Sequence, residues 1–155
     1  MKMEIMDRKG LEERAKMPFP PKTAVISITD SDREEVVLAC QPRYLLRLQF
    51  DDVSQEIYEE LLGRKPTVRE MHKLSRRLRM FENGHARQIA AFLKEKPDSL
   101  ICQCEWGQSR SAAVAAAILE YQSGRGIRIF ADPRYSPNKL VYRKLLQTLR
   151  GENVP

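Results

Sequence analysis

The feature that most limits how this chain can fold is the run Ala112–Leu119, apolar without interruption. A helix that is apolar nearly all round must be enclosed by other structure, since a surface helix shows only an apolar stripe. The run is far shorter than the roughly 20 residues that cross a bilayer, so the enclosure is expected to be protein. The helix is expected over Ser109–Gln122, ended by Gly124 and Gly126. Just upstream, Leu100–Cys104 is a short apolar run of strand type, joined to the helix by a brief loop. Strand, tight loop and buried helix form a unit of layered α/β domains.

The rest of the chain fits that class. Thr23–Thr29 is short and β-branched, a buried strand ending at Asp30-Ser31-Asp32, and Val36–Cys40 and Tyr44–Phe50 read as two more strands. Residues 1–22 end in Pro18-Phe19-Pro20-Pro21, which forbids regular helix there and suggests an extended lead-in. Residues 53–98 are mostly helical: Ile57, Tyr58, Leu61 and Leu62 precede a break at Gly63 and Pro66, and Val68, Met71, Leu74, Leu78 and Phe81 follow at intervals of three and four. Within that segment Lys73, Arg76, Arg77 and Arg79 read as a solvated helix face. Ser136-Pro137-Asn138 caps a final amphipathic helix carrying Leu140, Val141, Leu145, Leu146 and Leu149. Strands alternating with helices predict a three-layer α/β/α domain around a mostly parallel sheet of four or five strands.

Composition narrows the function classes. At 155 residues and 18.0 kDa, with 42% hydrophobic and 31% charged residues, the chain is expected to form one domain over 1–155. Its first residues alternate charged and apolar side chains without the apolar core of a secretory signal, so a cytoplasmic protein with no membrane partner is expected. Lys and Arg number 27 against 21 acidic residues, a net charge of +6 that favours anionic ligands. Cys40, Cys102 and Cys104 are too few and too unevenly placed for a disulfide framework, and His72 and His85 stand at no zinc spacing from them. Free thiols and no metal or cofactor are expected, with Cys40 and Cys102 as core residues.

The loop itself is Cys104-Glu105-Trp106-Gly107-Gln108-Ser109-Arg110-Ser111. A Cys and an Arg six positions apart is a common coincidence in a chain with 17 arginines. Three further conditions hold here: a glycine third in the loop, a hydroxyl after the Arg, and a strand-to-buried-helix junction. Together they suit the holding of a phosphate dianion over a thiolate. A loop wound into a helix N-terminus turns consecutive backbone N–H groups inward as an anion nest, which Glu105, Trp106, Gly107, Gln108 and Ser109 would supply. Gly107 permits a backbone path that a side chain would obstruct. Arg110 offers a fork of donors that matches two phosphate oxygens. That positive surrounding favours Cys104 as the thiolate, the form that attacks phosphorus, and Ser111 is placed to donate to the sulfur. Trp106 at the lip either stacks on a substrate ring or packs.

These residues resemble the signature of the cysteine-dependent protein-tyrosine and dual-specificity phosphatases, Cys-x5-Arg-Ser/Thr with Gly in the loop. The resemblance covers Ser99–Tyr121 and extends into Pro133–Leu146, where Ser-Pro-Asn-x-x-Val-Tyr-Arg-x-Leu-Leu is similar to the closing segment of the small members. It implies a phosphatase-like fold and a two-step, metal-free hydrolysis through a phosphocysteine at Cys104, with an Asp as general acid. The run Leu46-Arg47-Leu48-Gln49-Phe50-Asp51-Asp52 resembles the Leu-x-Leu-x-Phe-x-Asp stretch of small bacterial dual-specificity-like phosphatases and favours Asp52, ahead of Asp51 and Asp132. The 52 residues from Asp52 to Cys104 exceed the spacing of compact members, so 53–98 is expected to be a helical insertion over the site. Two departures stand out: Gln103 where the family has His, and Glu105, an anion beside the nest.

Expected ligands are a phosphorylated protein or small phosphoester, with inorganic phosphate or sulfate able to occupy the loop. Two other readings remain open: a phosphate-binding module without turnover, for which Gln103 speaks, and an RNA 5′-phosphatase, for which the net charge and Lys73–Arg79 speak. Nucleic acid is the less favoured partner.

Overall fold

The protein was analysed as a computed structural model, which describes residues 1–152 apart from the side chains of residues 55, 57, 61 and 75. The expected roles of Ile57 and Leu61 lie outside those described side chains. The elements run β1 (Lys2–Met6), α1 (Arg8–Arg14), β2 (Thr23–Thr29), β3 (Tyr44–Gln49), α2 (Gln55–Leu62), α3 (Val68–Arg77), α4 (Asn83–Phe92), a 3-10 turn (Leu93–Glu95), β4 (Ser99–Gln103), α5 (Arg110–Ser123), α6 (Ile127–Ala131) and α7 (Lys139–Leu149). Four strands form one sheet in the order β1-β4-β2-β3, and every neighbouring pair is parallel. All strands therefore end at the same edge, where ligands bind in open α/β sheets.

Alternation along the strands builds two cores. Ala24, Ile26 and Ile28 of β2, with Leu100 and Cys102 of β4, face one side and pack with Ile89 of α4, Val114 and Ile118 of α5 and Leu145 of α7. Val25 and Ile101 between them face the other side and pack with Leu11 and Ala15 around α1. Residues Ala112–Ile118 of α5 are completely buried, as a helix without a polar face requires. The small alanines let α5 lie close to both the sheet and α7.

Two expectations are corrected. Residues 1–22 are not an extended lead-in: β1 and α1 occupy most of it, because the prolines constrain only residues 18–21. Asp7 starts α1 by accepting a bond from the Gly10 amide at 2.7 Å. Val36–Cys40 is not a strand. Val36 and Leu38 are buried over the α1 face while Val37 is exposed, so the alternation is that of a strand. Its backbone bonds nonetheless go to Ala15 O, from Cys40 N, and to the Arg47 guanidinium, from Val36 O, instead of a ladder. Residues 53–98 carry α2, α3 and α4, and Ala86 and Ile89 of α4 with nearby Phe81 form part of the main core.

Candidate active site

β4 ends at Gln103, the chain turns through residues 104–109, and α5 starts at Arg110. Cys104 and Ser111 are both buried, with Sγ and Oγ 3.0 Å apart. The loop is held from outside through its carbonyls: Glu105 O accepts from Arg8 N, Gln108 O from Ser136 N, and Ser109 O from Asn138 N. Gly107 has φ +64°, and a Cβ there would stand 2.7 Å from Asp7 N and 2.8 Å from the Met6 carbonyl carbon. The obstruction anticipated at this glycine is therefore specific: the β1–α1 junction backs the loop so closely that no side chain fits.

Glu105 points away from the thiol. It bonds Arg8 Nε at 2.9 Å and pairs with Arg33, tying the loop to α1 and to the segment after β2. Burial works against its charge, but the Arg8 bond and the charges of Arg8 and Arg33 outweigh this and hold the carboxyl below its ordinary range. Trp106 is 76% exposed at the lip, and Gln108 is exposed too. Of the expected anion-binding residues, Glu105, Trp106 and Gln108 thus have only their backbones to offer the loop's interior.

Arg110 is 3% exposed. Its Nη1 donates to Phe50 O at 2.8 Å and pairs with Asp30 Oδ1 at 2.5 Å, while its Nε is buried with no partner among the described residues. Asp30, read from sequence only as the end of β2, is thus an acceptor that orients the arginine. The signal for it was sheet topology: β2 lies beside β4, so the residue after β2 reaches the same edge as Cys104.

The three acid candidates separate. Asp52 Oδ1 accepts from Ser109 Oγ at 2.8 Å and from Asn138 Nδ2 at 2.9 Å, which places it against the loop. Asp51 accepts from Ser31 N (2.9 Å), Ser31 Oγ (2.6 Å) and Arg79 N (2.8 Å). Burial opposes its charge, but those bonds, with the nearby Arg110, bring its carboxyl below the ordinary value. Asp132 pairs with Arg134 at 2.7 Å, and that bond holds it low as well. Asn138 was expected only as a helix cap. It does cap α7, its Oδ1 accepting from Leu140 N and Val141 N, while its Nδ2 reaches Asp52.

Beneath the loop, Gln103 is 1% exposed and accepts from Ser27 Oγ at 2.5 Å, with its Nε2 unpartnered among the described residues. Burial pushes the Cys102 thiol well above its ordinary range, with neighbouring Cys104 adding to the effect, so Cys102 stays an inert core thiol. Among the described residues no cluster of His, Cys, Asp and Glu has the makings of a metal site, and no helix is long and apolar enough to cross a membrane.

No family model matches the chain, and no curated protein matches it. Solved structures do. Human DUSP28 aligns over 97% of this chain and 95% of its own at 14% identity and a TM-score of 0.52. A point variant of human DUSP28 aligns over 97% and 93% at 14% identity and a TM-score of 0.56. Identity at that level speaks for architecture alone, and the architecture is clear: this chain has the α/β fold of the cysteine-based protein-tyrosine and dual-specificity phosphatases.

Proposed function

We propose that the protein is a phosphomonoesterase of the protein-tyrosine/dual-specificity kind, working through a phosphocysteine on Cys104. The observation that carries this reading is Arg110. A buried guanidinium whose Nε lacks a partner is costly, by about 1–3 kcal/mol, unless a ligand supplies the acceptor. It stands at the start of the helix whose second residue, Ser111, contacts the candidate nucleophile. A phosphate seated in the loop gives Arg110 its missing acceptor and takes the backbone amides of 105–109 as further donors.

The Cys104 thiolate attacks phosphorus, the P–O bond of the ester breaks, and the departing oxygen takes a proton from the Asp52 carboxylic acid. The described bonds to Asp52 both use Oδ1, so Oδ2 is the oxygen that carries this proton. Water then attacks the phosphocysteine and gives a proton to the Asp52 carboxylate, and the P–S bond breaks. Phosphate leaves, and Ser111 steadies the returning thiolate through its hydroxyl. Loop amides and Arg110 hold the charge of the transferring group throughout. The substrate is a phosphorylated protein or small phosphoester, and the thiolate route itself needs no metal.

A second reading, phosphate binding without turnover, is favoured by one observation. The buried amide of Gln103 occupies the place where the family pattern has a titrating imidazole. Hydrolysis of p-nitrophenyl phosphate with EDTA present, by wild type and Cys104→Ser between pH 5 and 8, decides between them. Activity in the wild type with loss of more than about a thousandfold in Cys104→Ser is expected. Phosphate binding without turnover in both proteins would select the second reading, and equal activity in both would remove Cys104 from the mechanism.

A further inference from the structure

A cavity of about 410 Å³ opens at the end of α3, lined by Ser31 and by Arg76, Arg77 and Arg79, with Glu82 the one carboxylate among its described walls. All three arginines are exposed, and none makes an ion pair among the described residues. Arg76 approaches His72 at 3.3 Å. A solvated helix face accounts for charges on a convex surface, but not for three of them lining one concavity.

The cavity is physically joined to the phosphate loop. Asp51 clamps two of its walls, taking bonds from Ser31 and from Arg79 N, and its own amide donates to Arg79 O at 2.7 Å. One residue away along each segment, about 3.8 Å between Cα atoms, Asp30 holds Arg110 and Asp52 holds Ser109. The cavity is therefore linked to the loop through Asp51, Asp30 and Asp52.

We infer that Arg76, Arg77 and Arg79 form a second anion subsite, which selects phosphorylated peptides bearing an acidic side chain close to the phosphorylated residue. The inference rests on the phosphatase reading above and names its substrate class. Peptide is favoured over RNA by the cavity's walls. Leu78 and Met80 supply apolar surface for side-chain stems, and among the described lining residues none is aromatic to stack a base.

The test uses p-nitrophenyl phosphate, a short phosphotyrosyl peptide flanked by Glu, the same peptide flanked by Gln, and a 5′-phosphorylated oligoribonucleotide. Wild type is expected to favour the Glu-flanked peptide over the Gln-flanked one in kcat/KM by about tenfold, the worth of one charge-assisted hydrogen bond. Arg76→Ala/Arg77→Ala erases that preference and leaves p-nitrophenyl phosphate unchanged, and Arg76→Lys/Arg77→Lys restores part of it. Equal turnover of the two peptides by wild type overturns the inference, as does a preference that survives in the Ala variant. Selective loss of oligoribonucleotide turnover in that variant overturns it in favour of RNA. If wild type hydrolyses nothing, the catalytic reading fails separately. Peptide binding then decides the subsite: tighter binding of the Glu-flanked peptide, lost in the Ala variant, supports it, and equal binding overturns it.

Discussion

Asp51 and Asp52 are neighbours in the chain, yet they serve different regions of the molecule. Asp51 turns toward the segment after β2 and the end of α3, and three donors engage both of its oxygens. Asp52 turns toward the loop and α7, where among the described residues a hydroxyl and an amide meet one of its oxygens. The backbone turns tightly between them, Val53 N donating to Asp51 O at 3.0 Å, so one turn supplies both a brace and the candidate acid. A carboxylate held on both oxygens organises structure, and one with an oxygen left over beside a ligand site can exchange a proton.

That contrast breaks if the two aspartates can trade roles. The largest effect is expected from Asp52→Asn, a fall in kcat of about a hundredfold for phenyl phosphate, whose leaving group needs a proton, and far less for p-nitrophenyl phosphate. Equal slowing of both substrates would move the acid elsewhere. Asp51→Asn should do the reverse, lowering stability by about 2 kcal/mol in urea unfolding through weakened charged bonds to Ser31 and Arg79. Its kcat for phenyl phosphate should stay within a fewfold of wild type. The smallest effect is on pH dependence. The folded carboxyl of Asp51 lies below its ordinary value of 3.8, so its contribution is complete above that pH and is lost as pH falls through the lowered value. The stability gap between wild type and Asp51→Asn should therefore be constant from pH 7 to 5 and shrink below about 4. A gap that closes already near pH 6 would assign the bonds at Asp51 to another group's titration.

The local half of the site was legible because it is local. Cys104, Gly107, Arg110 and Ser111 sit on one strand–loop–helix unit, and their spacing carries the geometry. Asp30 and the orientation of Arg110 depend on β2 lying between β4 and β3, which no local pattern states. The β1–α1 segment was missed because a proline run downstream overshadowed a short alternating strand. Val36–Cys40 misled for the opposite reason: its side chains alternate, but its backbone has no strand beside it. Glu105 read as a hazard to anion binding because its partners, Arg8 and Arg33, come from distant segments.

The pairing of β1 has a consequence for how the protein forms. Lys2 aligns with Ser99 and Met6 with Gln103, so β1 waits for β4 before it has a neighbour in the sheet. That closure spans most of the chain, the kind of long-range contact that slows folding and comes late. The same junction of β1 and α1 backs Gly107. Reactivity is thereby made to follow the topologically longest step: an incompletely folded chain, with β1 still adrift, presents a cysteine whose loop has no wall behind it.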